Sequence, residues 1–201
     1  MSHINRIKAI EVIQANGGKI RMSEAISLGI SRTLLYTLLE EGVIEKISRG
    51  FYRLSDIESL SNPDLVTVAL RAPNSVICLT TALSFHNITT QISRKVHIAV
   101  PQKSIAPRIN DLPVQVHWFS KETYQTGIET HVVDTVPVKI YNRDKSIVDC
   151  FKFRGQIGMD VFIEAIKLYR AQKKTNYNLI VQYAQICRVY NKIIPYIEAI
   201  L

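Results

Sequence analysis

Cysteine is scarce in this 201-residue chain. Cys78, Cys150 and Cys187 form an odd set, and no two have the Cys-x-x-Cys spacing of a zinc knuckle or redox pair. That excludes a disulfide framework and points to a reducing compartment, with the three thiols buried among apolar neighbours. Long apolar runs are missing too, so no segment is read as crossing a bilayer. Residues 1–8 carry charge at helical spacing and lack the continuous apolar stretch of a secretory signal. A cytoplasmic protein without a membrane partner is expected. No glycine-rich phosphate loop, internal repeat or low-complexity tract is present.

Metal and acid–base patterns are equally thin. His86, His97, His117 and His131 show no His-x-x-x-His spacing, and His97 and His117 fall in strand-like runs where histidines are commonly structural. A common nuclease pattern needs an acidic residue two before a lysine on one strand, but Lys139 follows Pro137 and Val138. Asp134 and Asp149 could be carboxylates beside Arg143 or Lys145, yet they read better as cap or salt-bridge members. The chain is therefore expected to be no enzyme, with no catalytic residue, no metal and no cofactor.

What is present describes an ordinary globular chain. Hydrophobic residues make up 47% and charged residues 21%, which argues against disorder. Lys and Arg number 25 against 17 Asp and Glu, a net charge of +8 that favours a polyanionic partner such as nucleic acid.

The first 55 residues carry the sharpest pattern. Ile4, Ile7, Ile10, Val12 and Ile13 interleave with Arg6, Lys8 and Glu11, predicting an amphipathic helix stopped by Gly17-Gly18. Ser23 is read as the cap of a second, short helix whose apolar side is Ala25, Ile26 and Leu28, ended by Gly29. After a tight turn, Ser31 caps a third helix with Leu34, Leu35, Leu38 and Leu39 facing the first two. Its opposite face is Arg32, Thr33, Tyr36 and Thr37, grouped in the N-terminal half, where a recognition helix approaches base edges. Residues 43–47 and 51–54 read as two strands joined by Ser48-Arg49-Gly50, which makes a wing. Lys19, Arg21, Lys46, Ser48 and Arg49 complete the candidate DNA-binding set. Eight basic against five acidic residues leave this segment mildly basic, so dimerisation or cooperative binding on DNA is expected to raise affinity.

Residues 56–63 form a polar connector, and residues 64–201 a larger domain. Asn62-Pro63-Asp64 starts a helix through Arg71, and another begins at Thr80 or Thr81. Residues 95–101, 114–119 and 137–141 are β-branched or aromatic runs that predict a small sheet. Helical patterning returns from Asp144, with breaks expected at Gly155 and over residues 191–195. The fold class is thus mixed α/β (α+β): an N-terminal winged helix-turn-helix followed by a larger α/β domain ending in helices.

Several segments, in order, carry a family likeness. Glu41-Gly42-Val43-Ile44-Glu45-Lys46-Ile47-Ser48-Arg49-Gly50-Phe51-Tyr52 closes the winged helix. Leu79-Thr80-Thr81-Ala82-Leu83-Ser84-Phe85-His86 and Val96-His97-Ile98-Ala99-Val100-Pro101 follow, then Ile140-Tyr141-Asn142-Arg143-Asp144-Lys145-Ser146-Ile147-Val148-Asp149-Cys150-Phe151. Over roughly residues 4 to 170, the chain resembles the AbiEi-type antitoxins of type IV abortive-infection toxin–antitoxin systems. The resemblance implies a repressor of its own operon that binds double-stranded promoter DNA at inverted repeats, alone or as a homodimer, and counteracts a nucleotidyltransferase-like toxin. Two other readings are a winged-helix adaptor that binds only protein and, further off, a nucleic-acid-cleaving enzyme.

Overall fold

Two adjacent glycines decide where the first helix stops. Helix α1 (Arg6–Ala15) opens on Asn5, whose side chain accepts from the Lys8 N–H. It ends where Gly17 and Gly18 take φ of +70° and +73°, a conformation glycine adopts at little steric cost. The chain then reverses into a strand. The computed structural model describes residues 5–56, 61–110, 112–172 and 175–200, and it divides into two units, residues 1–63 and 64–201.

In the first unit, α1 is followed by strand β1 (Lys19–Arg21), helices α2 (Met22–Ser27) and α3 (Arg32–Glu40), and strands β2 (Ile44–Ser48) and β3 (Phe51–Leu54). The strands form an antiparallel sheet in the order β1-β3-β2. Ile13, Ile20, Ile30, Leu35, Leu38 and Leu54 are buried in one cluster that joins helices to sheet. Each such side chain stabilises the unit by about 1.5–3 kcal/mol relative to exposure.

Several sequence expectations need correction here. Ile7 was placed on the apolar side of α1, yet it is 69% exposed. Two residues before Ala9 and six before Ile13, it points away from the buried side of a helix with 3.6 residues per turn. Ser23 does not cap α2: the helix starts at Met22, and Arg21 occupies the cap position without a side-chain bond. Ala25 is the buried residue of that helix, while Ile26 and Leu28 are exposed. Strand β1 was not anticipated, because three residues are too few to show alternation. Ile4 and residues 57–60 of the expected connector lie outside the described residues.

The second unit opens on α4 (Pro63–Arg71) and strand β4 (Val76–Ile77), then α5 (Leu79–Phe85), β5 (Val96–Pro101), β6 (Val114–Phe119) and α6 (Lys121–Gln125). Strands β7 (Ile128–Val133) and β8 (Val136–Tyr141) precede helices α7 (Arg143–Lys152), α8 (Arg154–Ile157), α9 (Met159–Ala171), α10 (Tyr177–Ile186) and α11 (Tyr190–Ile200). The sheet is mixed, in the order β6-β5-β4-β8-β7, with β5–β6 and β4–β8 parallel and the other pairs antiparallel. Helix breaks fall elsewhere than expected. Gly155 lies inside α8, which is set off by Phe153 before it and by Gly158 (φ +98°) after it. The break expected over residues 191–195 falls instead at residues 187–189, where Arg188 has φ +59°, with Pro195 inside α11.

Helix α7 is the centre of this unit. Residues 144–151 are all buried although the segment carries Asp144, Lys145 and Asp149. Asn142 caps it by accepting from the Lys145 N–H at 2.8 Å. Lys145 Nζ donates to both carboxylate oxygens of Asp149 at 2.6 Å, so the two charges enter the core as a pair. The ammonium also lies 4.4 Å from the centre of the Tyr141 ring. No described helix is long and apolar enough to cross a membrane.

Candidate nucleic-acid interface

Helix α3 presents two sides of different chemistry. Ser31 caps it, its hydroxyl accepting from the Leu34 N–H at 3.1 Å, which satisfies one of the amides left open at a helix start. Leu35 and Leu38 are buried, and Leu34 and Leu39 pack partly against the same core. That fixes the rotation of the helix. Arg32, Thr33, Tyr36 and Thr37 are consequently all exposed on one side, with Tyr36 48% exposed. The Thr37 hydroxyl donates back to the Thr33 carbonyl at 3.1 Å.

The wing is a tight hairpin. Ser48 pairs with Phe51 in the ladder, leaving Arg49 and Gly50 as its two-residue tip, and Gly50 takes φ +78° with open space around it. The Gly50 carbonyl accepts from the Met22 N–H at 2.9 Å, tying the tip to the start of α2. Arg21, Ser23, Arg32, Gly50 and Phe51 line an open cleft of about 550 Å³. Two guanidinium groups, a hydroxyl and the wing tip therefore converge on one surface. Arg21 stands 4.5 Å from the Phe51 ring centre, which shields an aromatic lying outside the core cluster.

The candidate residues do not all gather there. Lys19 pairs with Arg53, and Arg53 with Glu45, so these three share one face of the sheet. Ile20, Tyr52 and Lys46 form the next row and face the opposite way, on the core side. Lys46 is exposed on the core-side row of the wing, whereas Lys19 shares the opposite face with Arg21 and Phe51 of the cleft without itself lining it. Arg53 donates to the Glu45 carboxylate at 2.7 and 3.1 Å, which compensates an acidic group that would otherwise repel phosphate. Ser48 is a correction: it is 4% exposed and its hydroxyl turns inward. A register shift between Lys46 and Ser48 changes the alternation there. Ser23 was read as a cap and is instead a cleft residue; the one-residue shift in the start of α2 concealed it.

In the second unit the fold disposes of the carboxylate and histidine candidates in particular ways. Asp149 is fully buried on Lys145; burial pushes its carboxyl up, against the pull of the Lys145 charge. Asp134 forms the β7–β8 turn with Thr135, both with positive φ. His97 Nδ1 and His117 Nε2 lie 2.9 Å apart in a stacked pair. Burial, then the charge of His97, lowers His117 to about 4. The thiols of Cys78, Cys150 and Cys187 are all buried, and burial raises each pKa. His86, Glu129 and His131 come together although no short spacing joined them in the sequence.

Comparison with known proteins bears on a segment of the first unit. Residues 8–55 match the family described as transcriptional regulator, AbiEi antitoxin. The matched span covers most of the helix-turn-helix and the whole wing, so it includes the residues that line the cleft. No curated protein matches the chain. Among solved structures, the chain is similar to the RV2827C protein of Mycobacterium tuberculosis, with a TM-score of 0.60 and 10% identity. That likeness covers 90% of this chain and 70% of the other, and at such identity it speaks to the fold alone.

Proposed function

We propose that the chain is a DNA-binding transcriptional repressor and the antitoxin of a type IV, AbiE-like toxin–antitoxin system. It represses its own operon through inverted repeats in double-stranded promoter DNA and counteracts a nucleotidyltransferase-like toxin. The observation that carries this reading is the exposed Arg32-Thr33-Tyr36-Thr37 face of α3, beside a cleft that adds Arg21 and the wing tip. Arginine, threonine and tyrosine supply the donors and acceptors that base edges and phosphates take, at the end of the helix that enters a major groove first. Lys46 and Arg49 extend the cationic surface along the wing toward the flanking backbone.

The decisive experiment is an electrophoretic mobility shift with purified full chain and DNA from upstream of its own gene. A shift that outlasts excess unrelated duplex supports the repressor. Protein partners captured with no shift at low salt would make the first unit a protein-binding adaptor. Residues 1–63 hold eight basic and seven acidic residues, so one copy has little net attraction for DNA. Binding should therefore be cooperative across the two halves of a repeat.

A further inference from the structure

Among the described residues strand β7 is an edge strand, paired with β8. Glu129 and His131 sit two residues apart on it and therefore share a face. His86 ends α5 at its C-cap position, some 43 residues earlier in the chain. One donor atom from each of the three residues falls within 4.8 Å of the other two. Glu129 Oε2 and His131 Nε2 are 3.1 Å apart. Ligands at about 2.0–2.2 Å on tetrahedral zinc are separated by nearly that much.

His86 is oriented from behind. Its Nε2 lies 2.8 Å from the Tyr141 carbonyl oxygen, so Nε2 carries the proton and Nδ1 keeps the lone pair that a metal takes. Ligating histidines are commonly held by such a bond from their other nitrogen to a backbone carbonyl, which fixes tautomer and ring plane. Phe85 stands edge-on to His131 at 4.9 Å between ring centres and limits its rotation. His86 and His131 are half-buried while Glu129 is exposed, so one side of the cluster opens to solvent and leaves room for water in a fourth position.

From this arrangement we infer that His86, Glu129 and His131 form a binding site for a zinc-class divalent cation. Two imidazole nitrogens and one carboxylate oxygen select borderline metals over magnesium and calcium, which prefer all-oxygen shells. The bound ion joins the end of α5 to the edge strand β7, so its first effect is on the stability of the second unit. It requires nothing of DNA binding.

The test uses the untagged full chain, stripped with a chelator and titrated with Zn²⁺ in a calorimeter, with Co²⁺ absorption as a report on ligand type and geometry. One ion per chain is expected, with a tetrahedral or five-coordinate Co²⁺ spectrum, a rise in Tm that grows with Zn²⁺ concentration, and no competition from excess Mg²⁺. Glu129→Gln and His131→Gln change surface-accessible side chains, and each should weaken binding on the order of 100-fold or more, since even outer partners of ligands are worth 10–100-fold. Each variant should keep the wild-type Tm in chelator. His86→Gln should behave likewise, and if it fails to fold the two β7 variants decide. Absence of saturable Zn²⁺ binding overturns the inference. So does wild-type affinity in the Glu129→Gln/His131→Gln double variant, which places the ion at other histidines. Equal binding of Mg²⁺ overturns the metal class.

Discussion

Arg32 and Arg49 carry the same charge, but their positions give them different work. Arg32 lies at the first turn of α3 and lines the cleft, while Arg49 is at the wing tip. Arg49→Ala should weaken binding to all sequences alike and reduce the slope of log affinity against log salt by about one unit. Arg32→Ala or Tyr36→Ala should cost about 1–3 kcal/mol and also relax sequence preference; unchanged affinity in an Arg32/Arg49 double variant, measured by mobility shift across a salt series, refutes both roles. The buried Lys145–Asp149 pair gives a second expectation. Lys145→Met leaves a carboxylate sealed in the core and should destabilise the second unit by about 3–5 kcal/mol, whereas Lys145→Met with Asp149→Leu should recover most of that loss in urea unfolding. His117 supplies a pH dependence. With its folded pKa lowered to about 4 and an unfolded value near 6.5, the unfolded chain binds more protons between those limits. Stability therefore rises with pH across that window, and its His117 share is fully present above about 6.5. Acidification from pH 6.5 to 4 should remove up to roughly 3 kcal/mol, at 1.36 kcal/mol per unit. His117→Gln should flatten the stability profile over that range, whatever it does to the absolute value.

Elements were legible in the sequence where their period was long enough to be seen. Helix α3 spans nine residues, has a serine cap and a leucine stripe, and the structure reproduces its start and its buried side. Ser31→Ala should accordingly cost about 1 kcal/mol, read as a shift of the unfolding midpoint of the first unit. The wing was legible because Arg49-Gly50 interrupts two β-branched and aromatic runs. What escaped was whatever depends on contacts distant in the chain or on very short elements. β1 has three residues and β4 two, and each is a strand only because a neighbour pairs with it. Ser48 turned inward through a register irregularity that residue type does not announce. The His86-Glu129-His131 cluster depends on sheet order, which no local spacing encodes. Gly127 is of the same kind. Its φ is +78°, and a Cβ there would lie 2.8 Å from Lys145 Cβ, so the loop entering β7 approaches α7 too closely for any side chain. Gly127→Ala should destabilise the second unit by about 1–3 kcal/mol through overpacking, in addition to backbone strain.

At the scale of the whole molecule, charge and core are divided unequally. Each unit has its own hydrophobic cluster, so each has the means to fold by itself. Residues 64–201 carry 17 basic and 10 acidic residues against eight and seven in residues 1–63. Most of the net positive charge therefore lies outside the unit proposed to read sequence. A small module with one face committed to DNA has little surface left for a second task, whereas the larger unit adds helices and a cationic excess suited to another macromolecule. Under the proposed function, residues 64–201 counteract the toxin and residues 1–63 read the operator. Dimerisation of the reader would be the sole task of the larger unit only if it failed to protect cells when separated from that reader. Expressed alone, residues 64–201 should restore growth to cells producing the toxin encoded beside this gene. Residues 1–63 should shift operator DNA weakly, because one near-neutral module lacks the multiplied affinity of linked copies, and should leave the toxin unopposed. Circular dichroism and expression level establish that each fragment is folded and abundant before growth is scored. Rescue by the short fragment, or failure of the long one under those conditions, refutes the division.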